Sequence, residues 1–191
     1  MIGVPWKLGA AACHSLVPIG VRMASHIPSV ELVFFRNVIG LSLLLAIVSW
    51  RGFGFLRTRR IGVHLQRNML NFAGMWMWFT GLSLLPLSKA VALHFILPLM
   101  VVVLAFIFLR ERPGPARIAC TVTGFVGVLV ILRPGMVPFG LASMLVRGSA
   151  LCYAGVGIFI RVLGRTDAPA TTTFYYPLMV ATFALGPSLF V

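Results

Sequence analysis

Acidic side chains are scarce in this sequence. Only 3 of the 191 residues are Asp or Glu, whereas 16 are Lys or Arg, so the formal net charge is +13 at pH 7. Acid–base pairs and catalytic triads depend on carboxylates, and so few acids leave no Ser, His and Asp set that could be placed together. The chain also has no phosphate-binding glycine loop and no HExxH motif. These absences argue against an enzyme.

Cysteine is equally scarce. Cys13, Cys120 and Cys152 are odd in number, lie far apart and each fall inside an apolar stretch. A disulfide framework or a CxxC-type metal site needs paired or closely spaced cysteines, so the sequence predicts neither, and no cofactor is expected. We interpret the three cysteines as small packing residues.

Charged residues of either sign are few, and apolar residues dominate. The chain is 60% apolar and 10% charged, with a mean hydropathy of +1.02, whereas soluble chains are about 45–50% apolar and 25% charged. A helix of about 20 residues is roughly 30 Å long, which matches the hydrocarbon core of a bilayer. Seven apolar stretches follow one another: 3–21, 30–50, 68–88, 90–109, 118–132, 138–160 and 168–191. The sequence therefore predicts an all-α integral membrane protein with about seven transmembrane helices.

The basic residues are unevenly placed between these stretches. Eleven lie near the N-terminus or in the second, fourth and sixth connections, three lie in the alternate connections, and Arg36 and Arg147 lie inside spans. Positive charge is retained on the cytoplasmic side, so we predict a cytoplasmic N-terminus in an inner membrane. The 14 to 2 excess of Arg over Lys is typical of a GC-rich bacterium. Because topology explains the basicity, we do not expect nucleic-acid binding.

One segment of the chain is partly repeated. Pro28 and Pro169 each follow an arginine and precede an aromatic pair by six residues; the second pair is Tyr175 and Tyr176. The prolines are 141 residues apart, and five predicted helices lie within this period. Since five is odd, the second copy would enter the membrane from the opposite side. Inverted repeats of this kind are typical of secondary transporters, which bind solute at the midplane.

Three strings of the sequence carry a family resemblance: "PSVELVFFRNVIGL" (28–41), "GMWMWFTGLSLLPLSKAVALHFILPLMVVVLAFIFLRER" (74–112) and "IACTVTGFVGVLVILRPG" (118–135). Together they resemble the EamA-type drug/metabolite transporters, and within these the branch of bacterial S-adenosylmethionine-type carriers. The resemblance implies ten helices in two inverted five-helix repeats and an inner-membrane carrier of small metabolites. Lys89 stands where that branch often has an acidic residue, which leaves the substrate open.

The repeat divides the chain into two expected domains. Residues 1–135 would form one complete EamA repeat, and residues 136–191 would supply the first two helices of a second, incomplete one. We therefore expect either a truncated protein or one whose missing helices come from a partner or from a second copy of the chain.

A kink is expected within the fourth span. Pro98 cannot donate a hydrogen bond to the carbonyl of His94, and its ring pushes against that carbonyl. In hydrocarbon the freed acceptor needs water, a neighbour or a ligand. His94 and Pro98 are therefore candidate binding residues. The alternative is an ordinary proline kink with His94 bonded to a neighbouring helix.

The third span divides into two faces. Asn71, Met75 and Trp78 follow i, i+4, i+7 and form a partly polar face, whereas Trp76 and Phe79 lie on an apolar one. We therefore predict that Asn71 and Trp78 face a cavity, where an aromatic ring suits a cationic ligand. Plain helix packing is the alternative.

Four further side chains complete the candidate binding set. Arg36 has only fourteen uncharged residues before Arg51, too few to span, so it either faces a cavity at depth or snorkels outward. His14 in the first span is a weaker candidate, because a neutral histidine bonded to backbone groups is common. Tyr153 and Tyr175 would line the cavity from the second repeat.

These features favour a secondary transporter for amino-acid-like, amine or S-adenosylmethionine-like solutes, working by alternating access. The expected partners are a small-molecule substrate and the lipid bilayer. A truncated or partner-dependent membrane subunit without transport activity is the alternative, and a non-transporting scaffold is a third reading.

Overall fold

The computed structural model of the chain describes residues 3–24, 26–52, 58–110, 113–132 and 140–189. Arg57, Arg112 and Arg133, which contribute to the predicted orientation, lie outside these residues. The described residues form eight helical segments: α1 (Gly3–Met23), α2 (Ser29–Arg51), α3 (Ile61–Leu84), α4 (Leu87–His94), α5 (Leu97–Leu109), α6 (Pro115–Leu132), α7 (Leu141–Leu163) and α8 (Pro169–Ser188). The prediction of an all-α protein is confirmed.

The predicted fourth span is broken into α4 and α5. Phe95 ends the first segment, with its N–H donating back to the carbonyl oxygen of Val91 at 3.2 Å. Pro98 lies in the first turn of α5, where a missing N–H costs nothing because that N–H has no helical partner. The sequence predicts a kink at Pro98, and the structure has a break just before it.

Helix α3 begins seven residues before the predicted span 68–88 and ends four residues before its end. The sequence analysis divided the spans at charged residues and so placed Arg67 in a loop, but the side chains of Arg67 and of His64 before it are buried in the bundle. His64 contacts Asp167 in the connection 164–168, and Arg67 donates to the Thr172 carbonyl oxygen on α8.

The distribution of polarity is the reverse of that in a water-soluble protein. Large apolar side chains such as Leu43, Phe106 and Phe108 are more than half exposed. Polar side chains are buried instead: Asn37, His64, Arg67, Asn68, Asn71, Ser143, Ser149 and Thr171. By length and composition, three of the described helical stretches can cross a membrane, Ser29–Trp50, Leu87–Leu109 and Leu141–Leu163, and two shorter ones are apolar, Leu8–Met23 and Ile118–Gly127. The bundle is thus built to be embedded in lipid.

Helices α3 and α7 approach each other closely at glycines of α3. A Cβ atom placed on Gly74 would lie 3.0 Å from the Cβ of Cys152, and one on Gly81 would lie 2.5 Å from Cγ2 of Val146. Small residues allow this close packing of helices in lipid. Cys152 is therefore a packing residue, as predicted, whereas Cys13 and Cys120 are exposed, and the prediction is wrong for these two.

The bundle has two distinct ends. At one end Arg22, near the end of α1, donates through Nη1 to the carbonyl oxygens of Leu82 and Leu85 at 2.8 Å each. We call this the far end. At the other end residues 58–60 meet the connection 164–168, and we call this the basic end. Helices α2 and α8, which follow the repeated prolines, pack against each other and start at opposite ends.

Candidate functional site

A cavity of about 730 Å³ lies within the bundle, with walls from α1, α2, α3, α4, α5, α7 and α8. We call it the central cavity. Seven of the eight candidate residues line it: His14, Arg36, Asn71, Trp78, His94, Pro98 and Tyr153. The sequence reading selected these side chains from separate spans, and the fold brings them together.

Tyr175 does not line the central cavity, whereas the adjacent Tyr176 does. The Tyr175 ring instead lies 5.0 Å from the His64 ring, and its carbonyl oxygen accepts a hydrogen bond from Nδ2 of Asn68 at 3.2 Å. Successive helical residues point about 100° apart, so only one of the pair can face inward. The placement of Tyr175 in the cavity is therefore wrong.

One wall of the central cavity is aromatic. The ring centroids of Trp78 and His94 are 4.2 Å apart, and the rings of His94 and Tyr153 meet edge to face at 5.7 Å. Nε2 of His94 is buried and has no hydrogen-bond partner among the described residues. His94 is the last residue of α4 and lines the cavity beside Pro98.

A second part of the cavity wall carries a cation, Arg36. Nη1 of Arg36 is 3.6 Å from the sulfur of Met75, and the guanidinium carbon lies 6.0 Å from the Phe79 ring centroid. Within the described part of the chain, no carboxylate lies within 4 Å of it. The prediction that Phe79 shares an outward face with Trp76 is wrong: Phe79 is 1% exposed and lines the cavity, while Trp76 is 47% exposed.

The sequence reading missed Asn37, which is 2% exposed and lies beside Arg36 on α2. Its Nδ2 donates to the carbonyl oxygen of Val33 at 2.7 Å and lies 3.6 Å from the sulfur of Met75. An asparagine one residue from a membrane-embedded arginine was the available signal, because both are costly in lipid.

A second cavity of about 400 Å³ lies at the basic end, between α3, α7 and α8. We call it the basic-end cavity. Arg67, Asp167 and Thr172 contribute to its wall, and Asn71 and Tyr176 line both cavities. The two cavities therefore adjoin across one asparagine and one tyrosine. The sequence reading did not predict this cavity.

A hydrogen-bond network links the two connections of the basic end. Oδ2 of Asp167 accepts from the Thr58 hydroxyl at 2.6 Å and lies 2.8 Å from Nε2 of His64. The Arg60 backbone N–H donates to the Thr58 oxygen at 3.0 Å. The bond from Thr58, and then that from His64, hold the pKa of Asp167 below its ordinary value. Among the residues that the structure describes, no cluster of three or more His, Cys, Asp or Glu side chains could hold a metal ion.

Comparison with known proteins identifies the family to which this chain belongs. Residues 1–133, more than half of the chain, match the EamA-like transporter family. The chain belongs to this family. A solved crystal structure that is 21% identical covers 90% of the EamA chain with a TM-score of 0.69, and 61% of that structure's chain is covered in return.

Curated relatives of this EamA chain are named as transporters. A riboflavin transporter of Brucella anthropi is 33% identical over 88% of this chain and 60% of its own length. A riboflavin transporter of Vibrio cholerae is 31% identical over 96% and 63%. An S-adenosylmethionine uptake transporter of Rickettsia bellii is 29% identical over 96% and 64%. The EamA chain thus spans less than two thirds of the length of these relatives.

Proposed function

We propose that this EamA chain is a multi-pass inner-membrane secondary transporter that carries small polar metabolites through the central cavity. One observation carries the proposal: candidate side chains from six helical segments converge on a cavity of about 730 Å³ inside a membrane-embedded bundle. Ligand cavities of about 300–1,000 Å³ hold molecules of metabolite size. The proposal places its activity in transport rather than in catalysis.

The two walls suit a solute with one flat or cationic part and one anionic part. Trp78 and Tyr153 offer ring faces and edges to a planar ring or a cation. Arg36 offers a guanidinium to a carboxylate, and Nε2 of His94 offers a hydrogen bond. Relatives are named for riboflavin, a flat ring system, and for S-adenosylmethionine, which carries a sulfonium and a carboxylate. We extend both solute classes to this chain as candidates.

Alternating access requires contacts that break at one end while the other end stays closed. The basic end is joined by Asp167 with Thr58 and His64, and the far end by Arg22 with two carbonyl oxygens. We propose that these are the contacts that open in turn, and that the basic end faces the cytoplasm. The opposite starts of α2 and α8 support an inverted pair of repeats, 1–135 and 136–191.

The described wall of the central cavity contains two histidines and no carboxylate. Coupling through a carboxylate proton carrier is therefore disfavoured. We propose that the chain exchanges one solute for another, or that solute transport is coupled to protonation of His94.

Counterflow in proteoliposomes tests this proposal. Vesicles loaded with unlabelled S-adenosylmethionine, riboflavin or an amino acid would receive the same solute in radiolabelled form outside, with empty vesicles as the control. We expect transient accumulation of at least one solute above the empty vesicles. Absence of both accumulation and binding for every solute, with correct insertion demonstrated, contradicts the proposal.

A second candidate function is a membrane subunit that binds solute but needs a partner to move it. The chain spans 60–64% of the length of the three relatives named above. Equilibrium binding to the detergent-purified chain separates the two functions. Binding together with counterflow supports a transporter, and binding without counterflow supports the subunit.

A further inference from the structure

Arg67 is a buried cation whose hydrogen-bonding capacity is only partly used. Its side chain is 3% exposed. Nη2 donates to the carbonyl oxygen of Thr172 at 3.2 Å, whereas Nε and Nη1 are buried and have no partner in the described part of the chain. A guanidinium remains charged at any ordinary pH, and leaving its donors unpaired away from water is costly. The arrangement calls for an acceptor.

The space beside Arg67 can hold such an acceptor. Arg67 lines the basic-end cavity of about 400 Å³, together with the start of α8 at Pro169 and Thr172. The N-terminal end of a helix carries partial positive charge, so it adds to the field of the guanidinium. Both features favour a negatively charged group in this cavity.

Asp167, the one carboxylate among the described residues of the cavity wall, does not neutralise Arg67. Asp167 is directed to Thr58 and His64 through its Oδ2 atom, and within the described residues it forms no ion pair with Arg67. Asp167 also limits the size of an anion, because a group that reached across the cavity would approach the aspartate. A compact group on the Arg67 side avoids this repulsion.

We propose that the basic-end cavity is an anion subsite in which Arg67 binds a carboxylate or phosphate group of a solute. The identity of the solute as cargo rests on the proposed transport function, but the subsite itself does not. Asn71 and Tyr176 line both cavities, so an anionic group that leaves Arg36 in the central cavity reaches Arg67 after passing these two side chains. The subsite would then favour S-adenosylmethionine and amino acids, which carry a carboxylate, over riboflavin and purely cationic amines, which do not.

Thermal unfolding of the purified full chain in detergent tests the subsite with free anions. Sodium phosphate and sodium acetate are titrated against sodium chloride at equal ionic strength and pH. We expect phosphate or acetate to raise the Tm of the wild type, with saturation, and to lose this effect in Arg67→Gln. Arg59→Gln removes the same charge from an exposed position at the same end, and it should respond as the wild type does.

A second variant, Arg67→Lys, tests the proposal if Arg67→Gln does not fold. Arg67→Lys keeps the charge and a donor for the Thr172 carbonyl oxygen, but it loses the planar set of guanidinium donors, so we expect an apparent affinity for phosphate about tenfold weaker than in the wild type. An identical anion response in the wild type and both Arg67 variants overturns the proposal.

Lipid phosphate is the competing source of the anion. The same chain in nanodiscs of phosphatidylcholine or phosphatidylglycerol distinguishes it from a solute. Stabilisation by phosphatidylglycerol through Arg67, with no response to free phosphate or acetate, would assign the cavity to a lipid headgroup and overturn the solute subsite. An Arg67-dependent response to free anions supports the subsite even if counterflow fails, so the two proposals fail separately.

Discussion

Trp78 and Trp76 are two residues apart on α3, yet only Trp78 meets the central cavity and the His94 ring. Replacing Trp78 with Ala removes a desolvated ring face worth about 2 kcal/mol to a cationic or stacked solute. We expect Trp78→Ala to weaken equilibrium binding of S-adenosylmethionine or riboflavin about 30-fold. Trp76→Ala is the matched control and should bind as the wild type does. Equal losses in the two variants would place the ligand elsewhere.

Asp167 gives the basic end a pH dependence. Its pKa is lowered in the folded chain, so the ionised Asp167 carboxylate stabilises the fold. This contribution is fully present above the unfolded pKa of about 3.9 and is lost as pH falls through the lower folded pKa. We expect Asp167→Asn to lower Tm at pH 7 by about 2–4 °C. Below about pH 4 the difference from the wild type should shrink.

The control for this pH series is Glu31→Gln, since Glu31 has no hydrogen bond or ion pair within the described residues. Its Tm should follow the wild type across the series. A constant difference between Asp167→Asn and the wild type from pH 7 down to pH 3 would show that the charge of Asp167 contributes nothing.

At the residue scale, polar and charged residues inside apolar spans predicted most of the side chains that line the central cavity. His94, Pro98 and Arg36 stood out because each is costly inside an apolar span. Tyr175 could not be distinguished from Tyr176, because α8 is apolar on nearly all sides and offers no face to read. Arg67 escaped notice for another reason: positive charge near a span end is ordinarily a topology signal.

At the scale of the helix, the close approach of α3 and α7 depends on Gly81. A methyl group there would meet Cγ2 of Val146 at 2.5 Å, and Val146 is fully buried. We expect Gly81→Ala to destabilise the chain by about 1–3 kcal/mol, measured as a lower Tm. Val146→Ala in the same chain should restore part of the loss.

Gly124 on α6 is the matched control, because a Cβ placed there meets no atom of another helix within 4 Å among the described residues. Gly124→Ala should leave Tm unchanged within error. If both alanine variants unfold at the wild-type temperature, the α3–α7 contact is looser than the structure indicates.

Helix positions were more predictable than helix ends. The apolar runs predicted the spans, and Pro98 predicted a kink where the structure has the break between α4 and α5. The start of α3 was misplaced because the charge of Arg67 suggested a loop. Tertiary partners decide that boundary: Arg67 bonds to Thr172, and Asn68 bonds to Tyr175, both on α8.

At the scale of the whole molecule, two adjoining cavities lie between two sets of end contacts. Sequence periodicity gives the number of spans and their alternating directions, but it contains no information on which helices touch. The α3–α7 and α2–α8 contacts that shape both cavities therefore emerged only from the structure.

The central claim is that solute occupies the central cavity, and protection of a single cysteine tests it most directly. In a chain with Cys13, Cys120 and Cys152 replaced by Ala, Ser15→Cys would place a thiol on the cavity wall, and Arg59→Cys would place one on the exposed basic end. We predict that saturating S-adenosylmethionine or riboflavin slows maleimide labelling at position 15 by tenfold or more, in line with a site of at least about 90% occupancy, and leaves position 59 unchanged. Unchanged labelling at position 15 with both solutes would contradict the account.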